Sequence, residues 1–239
     1  MTVPTNAPRV TRRWLGDLVV VLIGLGVVNV AVAFWLDGWA STALLLGAAI
    51  GAVVAARWRG YTPRELALAP ADAGAGFRLG GGLALVIAAG VTVVAAVPWT
   101  QGLFDDDRFD DLTFGEVLYE VLVRIPFVTA LGEELLFRSV LLAVLLAATT
   151  PVRAVVVQSL AFGLWHLATT IGDLDGNETT ADLSVWESAL SVTGVVVVTG
   201  LAGAAFAWTR LRSRSIVAPW LVHTAFNASA FAAGAVLAA

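Results

Sequence analysis

Cysteine is absent from this 239-residue chain, which excludes disulfides, thiolate metal ligands and thiol nucleophiles. Lysine is absent as well, and all 14 basic residues are arginine. Together with abundant Ala, Val and Asp, that habit points to a GC-rich microbial source. Charge of either sign is scarce, at 13% of residues, and the net charge of -4 gives no basis for nucleic-acid binding. With 59% hydrophobic residues and a mean hydropathy of +0.86, there is too little polar surface to cover a water-soluble globule. The class that remains is an integral, polytopic membrane protein, read as residing in a prokaryotic cell membrane and contacting lipid.

Apolar runs are what the chain has in excess. A hydrocarbon core about 30 Å thick takes roughly 20 apolar residues per helix, and backbone groups inside it must be satisfied within the segment, so spans are expected to be helices. Segments 14–36, 39–56, 79–99, 127–148, 152–170, 184–208 and 216–237 qualify. Residues 113–126 are ambiguous: Glu116, Glu120 and Arg124 recur at helical spacing on one face, consistent with an interfacial helix or with an eighth crossing. The expected fold is therefore an all-α transmembrane bundle of seven or eight helices with an intramembrane polar cavity. Residues 57–78 read as an aqueous linker, with the GxxxG match at 76–80 as its junction to the next helix. The acidic stretches 105–111 and 172–178 read as solvated connectors.

Three polar constellations interrupt the apolar segments. An ionisable side chain at the bilayer centre costs at least about 2.5 to 3.5 kcal/mol, so each is a functional candidate. In Glu133-Glu134-x-x-x-Arg138, the i,i+4 spacing pairs Glu134 with Arg138 and turns Glu133 away from that pair. The competing reading is a helix-start cluster at the membrane surface. The other two are Phe162-Gly-Leu-Trp-His166 and His223-Thr-Ala-Phe-Asn227, which contain both histidines of the chain. His223 and Asn227 lie one turn apart, as a hydrogen-bonding pair would.

A hairpin turning at Thr150-Pro151 brings Glu133 and His166 level, each about 24 Å from the turn at 1.5 Å per residue. His223, counted from Arg212 and Arg214, falls roughly 10 Å short. A tilt, or a helix starting late after Pro219, would have to close the gap. A carboxylate and two imidazoles converging in a cavity suit hydrolysis, with Glu133 as general base and neutral donors for an oxyanion. The same Glu133, His166 and His223 could instead hold zinc with one open position, although no HExxH pair is present.

The order EELLFR (133–138), FGLWH (162–166) and HTAFN (223–227), each in an apolar helix, resembles the CAAX-processing and bacteriocin-processing intramembrane endopeptidases. This is the CPBP or Abi family, which includes the type II CAAX prenyl endopeptidases. The resemblance covers about 115–237 and divides the chain into N-terminal transmembrane helices and linker, 1–112, and a catalytic helical core, 113–239. It implies that Glu133 and His166 activate water and that His223 and Asn227 form the oxyanion site. Glu134, Arg138 and Phe162 would support that site, with no cofactor in a glutamic mechanism and zinc in the older metalloprotease description. Ser139 stands where the family commonly has Gly, and the acidic loop 172–183 lengthens the interval between the histidines. The implied partner is a membrane-associated protein or peptide, prenylated or a precursor peptide; oligomeric state is left open. Two other classes compete: a non-catalytic membrane scaffold or chaperone, and a transporter using Glu133, His166 and His223 as a proton relay.

Overall fold

The computed structural model describes residues 13–36, 38–104, 106, 109, 111–176 and 184–239, with only the backbone course at 13 and 172–176. Most of the acidic stretch 105–111 and residues 177–183 of the second acidic loop lie outside the described residues, so their reading as solvated connectors does too. Among the described residues there are no strands. Helix α1 runs Arg13–Phe34, α2 Gly38–Trp58 and α3 Pro70–Ala96, followed by a 3-10 turn at Pro98–Leu103. Three further helices, α5 (Pro151–Gly176), α6 (Val185–Ser213) and α7 (Val217–Ala238), complete the six that are long and apolar enough to cross a membrane.

The expected span at 127–148 lies inside a longer composite rod, α4, which runs without a break from Phe114 to Ala148. Its hydrogen bonding is α over Phe114–Tyr119, π over Glu120–Ala130, α over Leu131–Glu134, π over Leu135–Leu141 and α over Leu142–Ala148. The ambiguous segment 113–126 is thus neither a separate interfacial helix nor an eighth crossing. It is the first part of a rod that, at about 1.5 Å per residue, exceeds a 30 Å hydrocarbon core. A capping box starts the rod: the Thr113 side chain accepts from the Glu116 N–H while the Glu116 carboxylate accepts from the Thr113 N–H. Of the expected charge ladder only Glu120 and Arg124 pair, at 2.9 Å. Pro126 lacks the N–H a regular turn needs and would clash with the carbonyl one turn earlier. The widened turn gives its carbonyl two other donors, the Leu131 N–H and, at 2.7 Å, Trp220 Nε1 of α7.

In a bilayer, burial of apolar surface drives helix association weakly, so close packing and polar contacts decide which faces meet. Two glycine contacts show this. A Cβ at Gly163 of α5 would lie 2.5 Å from the Val196 carbonyl oxygen of α6. A Cβ at Gly80 of α3 would lie 2.7 Å from Ala218 Cα of α7, and one at Gly76 2.7 Å from Ser215 Oγ. The GxxxG match at 76–80 is therefore a helix-packing face rather than a linker junction, because α3 begins at Pro70, well before the apolar run that marked it.

The expected aqueous linker is also corrected. Leu66 and Ala67 are fully buried, and residues 61–69 form a strap whose successive carbonyls are taken by three elements. Glu65 O accepts from Arg210 Nη2 of α6, Leu66 O from Ser139 Oγ of α4 at 2.7 Å, and Ala67 O from the Ile216 N–H at the head of α7 at 2.9 Å. Ala67 holds a positive φ of 56° to turn its carbonyl inward. The strap draws the α6–α7 turn into the bundle, where Ser213, Ser215 and Ile216 are buried. Helix α7 starts at Val217 with no delay at Pro219, whose missing N–H costs nothing in a first turn. One apolar cluster joins Leu25 and Val28 of α1, Leu45 and Ala49 of α2, and Phe137, Phe162, Phe206 and Val222 of the later helices.

Candidate functional site

The acids of α4 meet α7 at His223. Glu134 Oε1 lies 2.9 Å from His223 Nδ1, and Glu133 Oε2 lies 3.8 Å from Nε2 of the same ring. Adjacent positions on a helix diverge by about 100°, so the two carboxylates do not lie side by side but take opposite edges of one imidazole. Glu133, Glu134, Arg138 and His223 are all buried. The expected Glu134–Arg138 contact is present, with Arg138 Nη1 2.9 Å from Glu134 Oε1. The N–H vectors are not aligned on that oxygen, and the guanidinium instead packs among aromatic faces. Its carbon stands 3.9 Å from the Phe162 ring centroid, 4.9 Å from Phe206 and 5.9 Å from Phe137. The quadrupole of three rings and one carboxylate thus compensates a cation that the hydrocarbon would expel.

Glu133 is not aimed at His166. Its Oε1 accepts from Trp165 Nε1 at 3.1 Å, and its Oε2 is buried without a hydrogen-bond partner. The level expected of the 150–151 hairpin is met by Trp165, the residue before His166. His166 is partly buried, its Nδ1 donates to the Phe162 carbonyl at 2.8 Å, and its ring stands edge-on to Phe162 with centroids 4.7 Å apart. A carbonyl only accepts, so Nδ1 carries the hydrogen and Nε2 is the free nitrogen. The expected His223–Asn227 bond is not made, because His223 Nδ1 is committed to Glu134. Among the described residues the Asn227 side chain forms no hydrogen bond, which leaves its amide free one turn along α7.

Phe206 of α6 stacks on His223 at 4.8 Å with 22° between planes, and Phe162 meets the same ring at 6.0 Å and 90°. Neither Trp165 nor Phe206 was singled out by the motif reading. Trp165 had a signal: an indole in hydrocarbon needs a partner for its N–H. Phe206 had none, since its role depends on how α6 crosses α5 at Gly163. A cavity of ≈ 530 Å³ lies between α1, α2 and the Leu136, Val140 and Val144 face of α4, but none of these polar side chains lines it. The site is therefore defined by its converging polar atoms rather than by volume.

A helical integral membrane protein with an acid–imidazole cluster sealed between its helices is the class these observations define. Residues 116–229 match the family model described as Type II CAAX prenyl endopeptidase Rce1-like, which supports the CAAX-processing family for this segment. No curated protein and no solved structure matches it.

Proposed function

We propose that the protein is an intramembrane endopeptidase that hydrolyses a peptide bond in a membrane-associated substrate, with Glu133 as general base. The family match supports the protease class. The observation that carries the reading is the state of Glu133: it is buried, one oxygen is bonded, and the other is partnerless and faces an imidazole nitrogen. A water at that oxygen would lose a proton to it while attacking the scissile carbonyl, a role that contributes typically about 10² to 10⁴ in rate. The proton then passes to the leaving amine.

Glu134 fixes the His223 ring by accepting from Nδ1–H, which leaves Nε2 to exchange protons beside Glu133. His166, with Nε2 free, assists in orienting the water, and the Asn227 amide is the neutral donor for the tetrahedral oxyanion. Substrates of the CAAX type, prenylated, or precursor peptides in the membrane are the proposed class.

Zinc held by Glu133, His166 and His223 is the competing chemistry. Among the described residues no group of three or more His, Asp or Glu side chains converges as a metal cage. Glu133, His166 and His223 are chemically suited to zinc but are not grouped around one ion position here, so no step is routed through a metal.

Cleavage of prenylated and unprenylated quenched fluorescent peptides by detergent-purified wild type and Glu133→Gln, with and without a strong chelator, tests the reading. Activity that resists chelation and is lost in Glu133→Gln is expected. Chelator-sensitive activity restored by zinc would replace base catalysis with metal ligation, and no cleavage of any peptide would favour a membrane scaffold.

A further inference from the structure

A carboxylate has two equivalent oxygens, and catalysis at a fixed distance from a substrate needs one of them chosen. We infer that Trp165, itself held by Asn29, is a positioning residue that assigns Oε2 of Glu133 as the oxygen that takes the proton from water. This rests on the reading of Glu133 as the base.

The indole N–H is a donor only, so the 3.1 Å bond to Oε1 occupies that oxygen whatever the state of the neighbouring imidazoles. Oε2 is left buried, unpartnered and turned to Nε2 of His223. The indole is buried and packed, and the turn that carries it is tied to α1. Its ring meets Phe137 edge-on at 5.4 Å and 78°, and its backbone carbonyl accepts a second bond, from Asn29 Nδ2 of α1 at 2.8 Å. Asn29 lies outside the segment that matches the family, so this support comes from the N-terminal helices.

The step balances. A water O–H bond breaks and its proton goes to Oε2, while the water oxygen bonds to the carbonyl carbon and the C=O pair moves to the carbonyl oxygen. The oxyanion pair re-forms C=O as the C–N bond breaks with its pair on nitrogen, and the proton on Oε2 goes to that amine nitrogen.

Trp165→Phe keeps an aromatic ring against Phe137 and removes only the donor. The expected result is a fall in kcat of about 10²-fold, the size of effect of a misplaced reacting group, with KM unchanged in a protein that still folds, although the unsatisfied Oε1 lowers its unfolding temperature. The infrared carboxylate band that Glu133→Gln abolishes should also shift. Asn29→Leu should give the same split more weakly, and it decides the matter if Trp165→Phe does not fold. Unchanged kcat in these variants while Glu133→Gln is inactive would overturn the inference alone, as would a loss of kcat with no shift of the carboxylate band. An active Glu133→Gln would instead remove the base assignment on which it rests.

Discussion

Glu134 Oε1 stands 2.9 Å from Arg138 Nη1 and 2.9 Å from His223 Nδ1, so one buried oxygen serves a cation on its own helix and an imidazole on another. Removing the cation leaves a carboxylate in a dry interior, whereas removing both charges leaves an apolar gap that hydrophobic side chains can fill. Arg138→Ala should therefore cost about 3 to 5 kcal/mol, read as lost expression or lowered unfolding temperature in detergent. The Glu134→Leu, Arg138→Met double variant should regain much of that stability yet cleave nothing, because His223 has lost its acceptor. A stable, active Arg138→Ala protein would refute the buried pair.

Gly163 and Gly194 offer a matched contrast. Gly163→Ala puts a methyl 2.5 Å from the Val196 carbonyl oxygen, a backbone atom that cannot rotate aside, and Phe162 and His166 ride on the same turn. Overpacking of this kind costs about 1 to 3 kcal/mol and should depress activity along with stability. Gly194→Ala, with nothing within 4 Å of the new methyl, should be neutral or stabilising by up to about 1 kcal/mol. Paired thermal scans and cleavage rates check both.

By size alone, nothing marks Ser139 out. Its hydroxyl is fully buried and donates to Leu66 O, so Ser139→Ala leaves a buried carbonyl unsatisfied. The expected loss is about 1 to 3 kcal/mol. Limited proteolysis within 61–69 should rise in parallel; a strap that stays protected would show that the bond is dispensable.

Asn227 separates catalysis from folding. Its amide makes no hydrogen bond among the described residues, so Asn227→Ala should leave the unfolding temperature unchanged. If it is the oxyanion donor, kcat should fall by about 10² to 10³. Equal kcat in wild type and variant would take it out of the site.

What the sequence made legible follows from what periodicity and hydropathy measure. Glu134 and Arg138 are joined by helical spacing alone, and they meet as that spacing requires. The apolar runs located α1, α2, α5, α6 and α7 closely, but α3 begins at Pro70 instead of 79, because hydropathy discards the turns around Arg78 although they are helical. Backbone acceptors were invisible: nothing in the side chains of Glu65, Leu66 and Ala67 says that their carbonyls face inward. The bond from Trp165 to Glu133 was missed because a Trp within an apolar run reads as filler until the carboxylate beside it is seen.

The strap has a consequence for the order in which the molecule can be made. Its three carbonyls emerge at 65 to 67, but their donors, Ser139, Arg210 and Ile216, are synthesised later, Ser139 coming 73 residues and Arg210 145 residues after its acceptor. Chains are built from the N-terminus, so until Arg210 and Ile216 are made the segment carries at least two acceptors unfilled and α7 is not yet docked. Assembly of the cluster must wait until α7, which carries His223, has been made. A nascent chain therefore keeps Glu133 and Glu134 without their imidazole until the last helix has been inserted, and its neighbours in the membrane meet a finished cluster only after that.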